Sequence, residues 1–448
     1  GTRPPRKRSP DGNARWTDRS GTSTPASWAS GTDVHILHVS WEYPPLVYGG
    51  LGRHVGALAL AQARAGHDVT VVTQTEGDPA DEVIEGVRVV LYPRRPGDLE
   101  FRADTMLAWV KGLDHALDQG IVRLAGSAPV DVIHGHDWMV TTAVATAQRS
   151  WQVPVVATLH ATEAGRHQGW LPNALSREVH AREWELAHRA TRVISCSAHM
   201  GWEVHRLFDV PQNRVDVIPN GIDQREWQID ADARHVARAT YAGTDPLIVF
   251  AGRLEWEKGV HTLIEAMPLL HRTMPDARLV IAGKGGREAE LVEAARVTGV
   301  GDRIRFTGWL PEGDLHALVA AADIAVVPSL YEPFGLVALE AAALDTPIVV
   351  ARTGGLAEIA DADRVALTFT ADDPADLAAV LSQALSDPVA AAGRASHARQ
   401  ALTRIYDWDL VAAETVGSYE SAVASFDGAP DVPPAPTPPS GNLLVATS

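Results

Sequence analysis

A single cysteine, Cys196, stands in the 448-residue chain. That excludes an internal disulfide and a cysteine-built metal site. No run of about 18 apolar residues occurs, which excludes a membrane-spanning helix. With no signal-peptide pattern either, the chain is expected in a reducing cytoplasm. Basic residues are scarce, 39 Lys and Arg against 56 Asp and Glu, for a net charge of −17. A nucleic-acid partner is therefore not expected, because phosphate backbones require a basic footprint. Apolar periodicity is missing at both ends. Within residues 1–33, the first 30 positions carry Arg3, Arg6, Lys7, Arg8, Arg15 and Arg19 against Asp11 and Asp18 in a Pro-, Ser-, Gly- and Thr-rich context. They are expected to form a disordered basic tail, which leaves open a weak peripheral contact with an anionic membrane surface. Residues 427–448, with Pro430, Pro433, Pro434 and Pro436, are expected to be a second disordered tail.

Between the tails, short apolar runs alternate with helical spacing. Strands are expected at 34–39, 69–73, 87–91, 130–134, 153–159, 193–195 and 215–218, and again at 247–251, 279–282, 304–306, 324–327, 348–351 and 365–367. Unbroken apolar strands alternating with helices imply parallel sheets covered on both faces. The fold class is α/β, with two doubly wound, Rossmann-like domains facing across a cleft, residues 34–222 and 223–405. The turn Pro219-Asn220-Gly221-Ile222-Asp223 and the polar stretch that follows mark the hinge. A helix over 406–426 is expected to pack back on the first domain.

The chain is organised around Asp323-Ile-Ala-Val-Val-Pro-Ser-Leu-Tyr-Glu332-Pro-Phe-Gly335-Leu336-Val-Ala-Leu-Glu340. It reads as a strand, a turn and a helix opening at Gly335, whose unpaired N–H groups make an anion site. Glu332 and Glu340 bracket it. Ionised carboxylates accept from vicinal hydroxyls, so phosphates and hydroxyls together suggest a nucleotide sugar. Arg253 and Lys258 follow the first strand of the second domain and suit a diphosphate. A glycine loop, Gly49-Gly50-Leu51-Gly52, follows the first strand of the chain as a second phosphate cradle. His134-Gly-His136-Asp137-Trp138 and Thr158-Leu-His160-Ala-Thr-Glu163 sit at strand ends facing the cleft. There they bind sugar hydroxyls, or, as a weighed alternative, His134, His136, Asp137 and His160 hold zinc. No metal and no cofactor are expected to be required.

Taken together and in order, these motifs resemble retaining glycosyltransferases of the GT-B fold, family 4. The resemblance rests on Arg253 with Lys258-Gly259, Gly283-Lys-Gly285, Phe306-Thr-Gly308-Trp309, the Glu332 to Glu340 stretch, Trp41-Glu-Tyr-Pro-Pro45, Gly49-Gly50-Leu-Gly52 and His136-Asp137-Trp138. It implies that Arg253 and Lys258 bind the diphosphate, Glu340 the ribose and Glu332 the transferred sugar. Main-chain groups at Gly50, Gly335 and Leu336 would complete the phosphate cradle. His160 would contact the sugar near its reacting carbon or 6-hydroxyl, and Gly308, Trp309 and Leu310 would shape the base pocket. Asp137, Gly52 and Glu163 are the further candidates for acceptor or sugar contact. Val47 and Glu340 stand where glycogen synthases proper usually have Lys and Tyr. The chain is most similar to actinobacterial α-1,4-glucosyltransferases, through His160-Ala-Thr-Glu163-Ala-Gly-Arg-His167 and Glu178-Val-His180. The expected activity is transfer of glucose from ADP-glucose or UDP-glucose to an α-1,4-glucan of glycogen or methylglucose polysaccharide type, with a malto-oligosaccharide as a minimal acceptor. The competing readings are a GDP-mannose-dependent mannosyltransferase with a lipid or small-molecule acceptor, and a non-catalytic glycan-binding protein.

Overall fold

The computed structural model describes residues 34–94, 100–102, 104–127, 129–361 and 364–445. The expected basic tail, 1–33, lies outside the described residues. The first sheet comprises β1 His35–Val39, β2 Asp68–Thr75, β3 Ala80–Ile84, β4 Val87–Pro93, β5 Val132–His136, β6 Val155–Leu159, β7 Arg192–Ser195 and β8 Val215–Val217. Its order is β3-β4-β2-β1-β5-β6-β7-β8. β1, β5 and β6 are buried at every position, as strands covered on both faces must be.

One strand was not expected from the sequence. β3 pairs antiparallel with β4 at the sheet edge, and its residues after Ala80 are exposed. The turn between them, Glu85-Gly86, has φ of 49° and 88°, the geometry of a tight hairpin. An exposed Asp-Glu-Val-Ile segment carries too little apolar signal to read as a strand.

The second sheet comprises β9 Leu247–Ala251, β10 Arg278–Ala282, β11 Ile304–Gly308, β12 Ile324–Val327, β13 Ile348–Ala351 and β14 Leu367–Phe369. It is parallel, in the order β11-β10-β9-β12-β13-β14. Its core joins Ile248, Phe250, Leu263, Met267, Leu279, Ile324 and Leu377. The expected domain boundary at 222/223 falls between β8 and the helix Ala231–Tyr241.

Strand order reverses between β1 and β5 in one sheet and between β9 and β12 in the other. In doubly wound sheets ligands bind outside the strand ends at such reversals. The loops there contain the glycine loop, Asp137, Arg253, Lys258 and Glu332, so topology alone brings the sequence motifs to two facing places.

The helix Trp408–Ser425 returns to the first sheet. The Tyr419 hydroxyl accepts from Gln62 Nε2 at 3.0 Å and lies 2.7 Å from His134 Nδ1, while Ser418 Oγ donates to Asp216 at 2.8 Å. The C-terminal stretch corrects an expectation of disorder over its described part. Residues 427–445 form no helix or strand, yet Leu443 N donates to Gly169 O at 2.7 Å and Asn442 Nδ2 to Gln168 O at 2.7 Å. Arg206 donates to the carbonyls of Leu443 and Val445. A segment without core-forming residues is held here by backbone groups, which leave no periodic trace in sequence. Among the described residues no helix is long and apolar enough to cross a membrane.

Candidate active site

In the second lobe, β9 ends in Gly252 and Arg253, and a short 3-10 turn, Trp256–Lys258, leads to Gly259. Gly259 has φ of 65°, and a side chain there would collide with the Pro328 carbonyl at 1.9 Å. The β9 and β12 loops are thereby pressed together. The result is an ion pair: Lys258 Nζ donates to Glu332 Oε2 at 2.8 Å, with Ser329 Oγ on the same oxygen at 3.2 Å. Both charged groups are largely buried, 21% and 12% exposed. Arg253 is more exposed and pairs with Glu257 at 3.2 Å.

Three residues on, Gly335 starts the helix Leu336–Ala343 with φ of 116°. A Cβ at this position would lie 2.5 Å from Leu356, so glycine is required by both conformation and space. Glu340 faces the cleft and lies 3.5 Å from Arg53 of the first lobe. Burial pushes its carboxyl up to about 7, against the pull of Arg53. Its side chain is still 23% exposed, as befits a cleft wall. Trp227, Val337 and Glu340 line a small cavity beside it. Gly308 has φ of 67°, and its carbonyl accepts from Gly283 N at 2.9 Å. Trp309 and Leu310 follow at the end of β11, the outermost strand, with Trp309 69% exposed.

In the first lobe the glycine loop departs from the expected free cradle. The Glu42 carboxylate already accepts from Tyr48 N at 2.7 Å and Gly49 N at 2.9 Å. A Cβ on Gly52 would lie 3.0 Å from Glu42, so Gly52 seats this carboxylate and packs against it. Gly50 faces the other way: a Cβ there would lie 2.8 Å from Leu336. The glycine loop and the Gly335 helix start therefore touch across the cleft.

Asp137 carries φ 62°, ψ 171°, a region populated essentially by glycine and costing about 1–3 kcal/mol. Two bonds hold it: Asp137 N donates to Thr158 O at 3.0 Å, and Asp137 Oδ1 accepts from His160 N at 2.8 Å. The strained residue thus shapes the loop that carries His160. Burial lowers the His160 pKa against the pull of Asp137, which favours the neutral imidazole, and its buried Nε2 has no partner among the described residues. Glu163 pairs with His167 at 3.1 Å, and its amide donates to Glu183 at 2.8 Å. Glu183 is enclosed, and burial raises its carboxyl well above the ordinary range. The zinc quartet weighed from sequence is not assembled. His134 uses both nitrogens on Tyr419 and Thr158, and Asp137 is spent on the His160 amide.

The seam between the lobes was invisible in sequence. Tyr331, next to Glu332, inserts its ring into the first lobe, where a Cβ on Gly165 would lie 2.5 Å from it. Its hydroxyl donates to Glu203 Oε2 at 3.1 Å and accepts from Thr162 N at 3.1 Å. Ser197 Oγ donates to Pro333 O at 2.6 Å, and Glu358 caps the helix Ala198–Phe208 through Ala198 N and His199 N. The Glu332 loop is thus held from both lobes. Arg53 was also overlooked: an arginine one turn into a helix has no sequence signature until its partner Glu340 is placed.

Comparison with known proteins agrees with this geometry. A glycosyltransferase family 4 profile matches residues 48–226, and a glycosyl transferases group 1 profile matches residues 234–401. The chain is 44% identical over 401 residues to a glycogen synthase of Mycobacterium tuberculosis, covering 87% of this chain and 95% of that protein. It is 30% identical over 411 residues to an alpha-maltose-1-phosphate synthase of the same organism, covering 87% of this chain and 100% of that protein. Among solved structures, a sucrose-phosphate synthase from Thermosynechococcus elongatus shares the fold, with TM-score 0.73, 23% identity and coverage of 88% of this chain and 100% of that one. Two parallel-sheet domains of the GT-B type, with a matching profile on each and a relative at 44% identity over most of the chain, establish that this protein belongs to glycosyltransferase family 4, a family of retaining enzymes.

Proposed function

We propose that the chain transfers glucose from a nucleoside diphosphate glucose, ADP-glucose or UDP-glucose, to the end of an α-1,4-glucan with retention of configuration. The observation that carries this reading is the 44% identity, over 401 residues, to a glycogen synthase. The geometry supplies a mechanism. Lys258 and Glu332 stand 2.8 Å apart, so a cation suited to a phosphate and a carboxylate suited to a sugar hydroxyl lie side by side. Lys258, Arg253 and the helix start at Gly335 stabilise the charge that grows on the leaving diphosphate. Glu332 accepts from the sugar hydroxyls, Glu340 from the ribose, and neutral His160 contacts the sugar near the reacting carbon. The acceptor hydroxyl attacks that carbon on the face the diphosphate vacates. The new carbon–oxygen bond forms as the bond to phosphate breaks, and the departing phosphate oxygen takes the hydroxyl proton. The lysine and arginine supply the positive charge that the leaving group requires.

A second reading is favoured by Arg166, which stands among Asp137, Glu163, Glu257 and Tyr331. A guanidinium at that end suits a phosphorylated glucose acceptor, in line with the alpha-maltose-1-phosphate synthase relative. The lipid-acceptor reading loses its membrane face, because the helix Met106–Ala125 buries Trp109, Val110, Leu113, Leu117 and Ile121.

The test is a screen of ADP-glucose, UDP-glucose and GDP-mannose, each alone, with a malto-oligosaccharide and with glucose 1-phosphate. Released nucleoside diphosphate and product length are followed. Elongation from a glucose donor supports the proposal. Transfer only to glucose 1-phosphate replaces the acceptor, and turnover only with GDP-mannose, or with none of the three donors, refutes it.

A further inference from the structure

Behind His160 lies a group of side chains that the transfer reaction does not use. His54, on the helix Gly50–Arg64, sits edge-on to His160 with ring centroids 4.7 Å apart, and His136, at the end of β5, lies 5.8 Å from each. One ring nitrogen from each of the three falls within 4.8 Å of the others. His54 and His136 are buried, at 7% and 0% exposed. Both nitrogens of His54, Nδ1 of His136 and Nε2 of His160 have no hydrogen-bond partner among the described residues. Leaving such groups enclosed and unpaired costs stability, so a bound partner is favoured.

The hydrogen-bond network behind them fixes which nitrogen of His136 is bare. Gln62 donates from Nε2 to Tyr419 at 3.0 Å, so its Oε1 accepts from His38 Nε2 at 2.7 Å. Neutral His38 then has only a lone pair at Nδ1, which must accept from His136 Nε2 at 3.0 Å. Neutral His136 is left with a lone pair at Nδ1, aimed away from that chain. Burial disfavours the charged form of each of these imidazoles. A ring nitrogen oriented by a hydrogen bond from its other nitrogen is the usual second shell of a metal-bound histidine. Asp137 lies next to His160 as a compensating carboxylate, and the Oδ1 of Asn220 lies close to His54 as a weak acceptor, outside full hydrogen-bond geometry.

We propose that His54, His136 and His160 form a binding site for one divalent transition-metal ion of the imidazole-preferring class, with zinc as the probe. Three neutral imidazoles and one open position are a known zinc environment. Occupancy would draw the His160 Nε2 away from the sugar, so the ion inhibits transfer. That consequence rests on the role proposed above for His160; the site itself does not.

The experiment uses the full chain, without a polyhistidine tag and stripped by chelator. Zinc binding is measured by calorimetry, and cobalt is added to read its visible ligand-field spectrum. One equivalent per chain with a tetrahedral-type spectrum is expected. Affinity should fall at least about tenfold in His54→Phe and His54→Gln, whose folding is verified by thermal melting. Absence of stoichiometric binding, or unchanged binding in both folded variants, overturns the site and leaves ordered water as the partner of these nitrogens. Chelator-reversible inhibition of sugar transfer by zinc should accompany binding. Binding without inhibition keeps the site and overturns the His160 role, so the two failures are told apart.

Discussion

Replacing Tyr331 by phenylalanine tests whether the seam between the lobes positions the Glu332 loop. The ring is retained, so no cavity opens and only the hydroxyl bonds are lost. Thr162 N–H loses its acceptor in a buried setting, at a cost of about 1–3 kcal/mol. Glu203, 1% exposed, loses one charged hydrogen bond, about 1.5–3 kcal/mol, but keeps Thr162 Oγ1 at 2.8 Å and His199 at 3.2 Å. The losses share one network and do not add in full, so the expected destabilisation is about 3 kcal/mol. Burial, reinforced by Glu203, raises the Tyr331 pKa well above its ordinary value, so the hydroxyl donates throughout the working pH range. Urea unfolding of Tyr331→Phe against the parent chain measures the stability change. Steady-state kinetics on the variant should show turnover reduced more than sugar-donor KM is raised, because Glu332 is adjacent in sequence. A stability change within about 0.5 kcal/mol, the range of ordinary surface substitutions, together with parental turnover, would refute the reasoning.

Lys258→Ala should lower turnover by about a hundredfold or more, equivalent to ~3 kcal/mol of lost stabilisation, and near-parental rates would remove Lys258 from the mechanism. Glu340 titrates near 7 in the free chain, so it is ionised above that pH; sugar-donor KM should fall as pH rises from 6 to 8, and Glu340→Gln should flatten the profile. The same raised pKa means the folded chain keeps a proton that the unfolded chain releases, so this group favours folding less as pH climbs from its ordinary 4.5 towards 7. Thermal melts of Glu340→Gln across that window should show a correspondingly weaker decline. Gly335→Ala should destabilise the chain by about 1–3 kcal/mol, from a backbone conformation disfavoured for a side chain and a 2.5 Å approach to Leu356, and a melt unchanged from the parent would contradict the geometry.

Much of the architecture was legible in the chain itself. Runs such as Leu247 to Ala251, and Val34 to Val39 apart from the buried His35 and His38, are apolar because both faces of a parallel strand are buried, and burial is a property that composition records. The convergence of Lys258, Glu332 and Gly335 was legible for a related reason. Lys258, Glu332 and Gly335 lie in short loops directly after strands, where topology leaves little choice of direction. β3 escaped because an exposed edge strand has no apolar stripe, and the C-terminal stretch because backbone hydrogen bonds are indifferent to side-chain type.

What the sequence by itself determined was therefore the local part: which segments become strands and helices, which glycines must turn, and which charged residues stand at strand ends. Tertiary structure alone decided which of those groups meet. It paired Lys258 with Glu332 and Arg53 with Glu340, gave Glu42 two amides of the glycine loop, set Tyr331 into the opposite lobe, and drew His54, His136 and His160 around one point. Apart from the Glu42 contacts, which are local, these join residues far apart in the chain. Their energies depend on distance and desolvation, which exist only once each sheet has formed and, for Arg53–Glu340 and Tyr331–Glu203, once the two lobes meet.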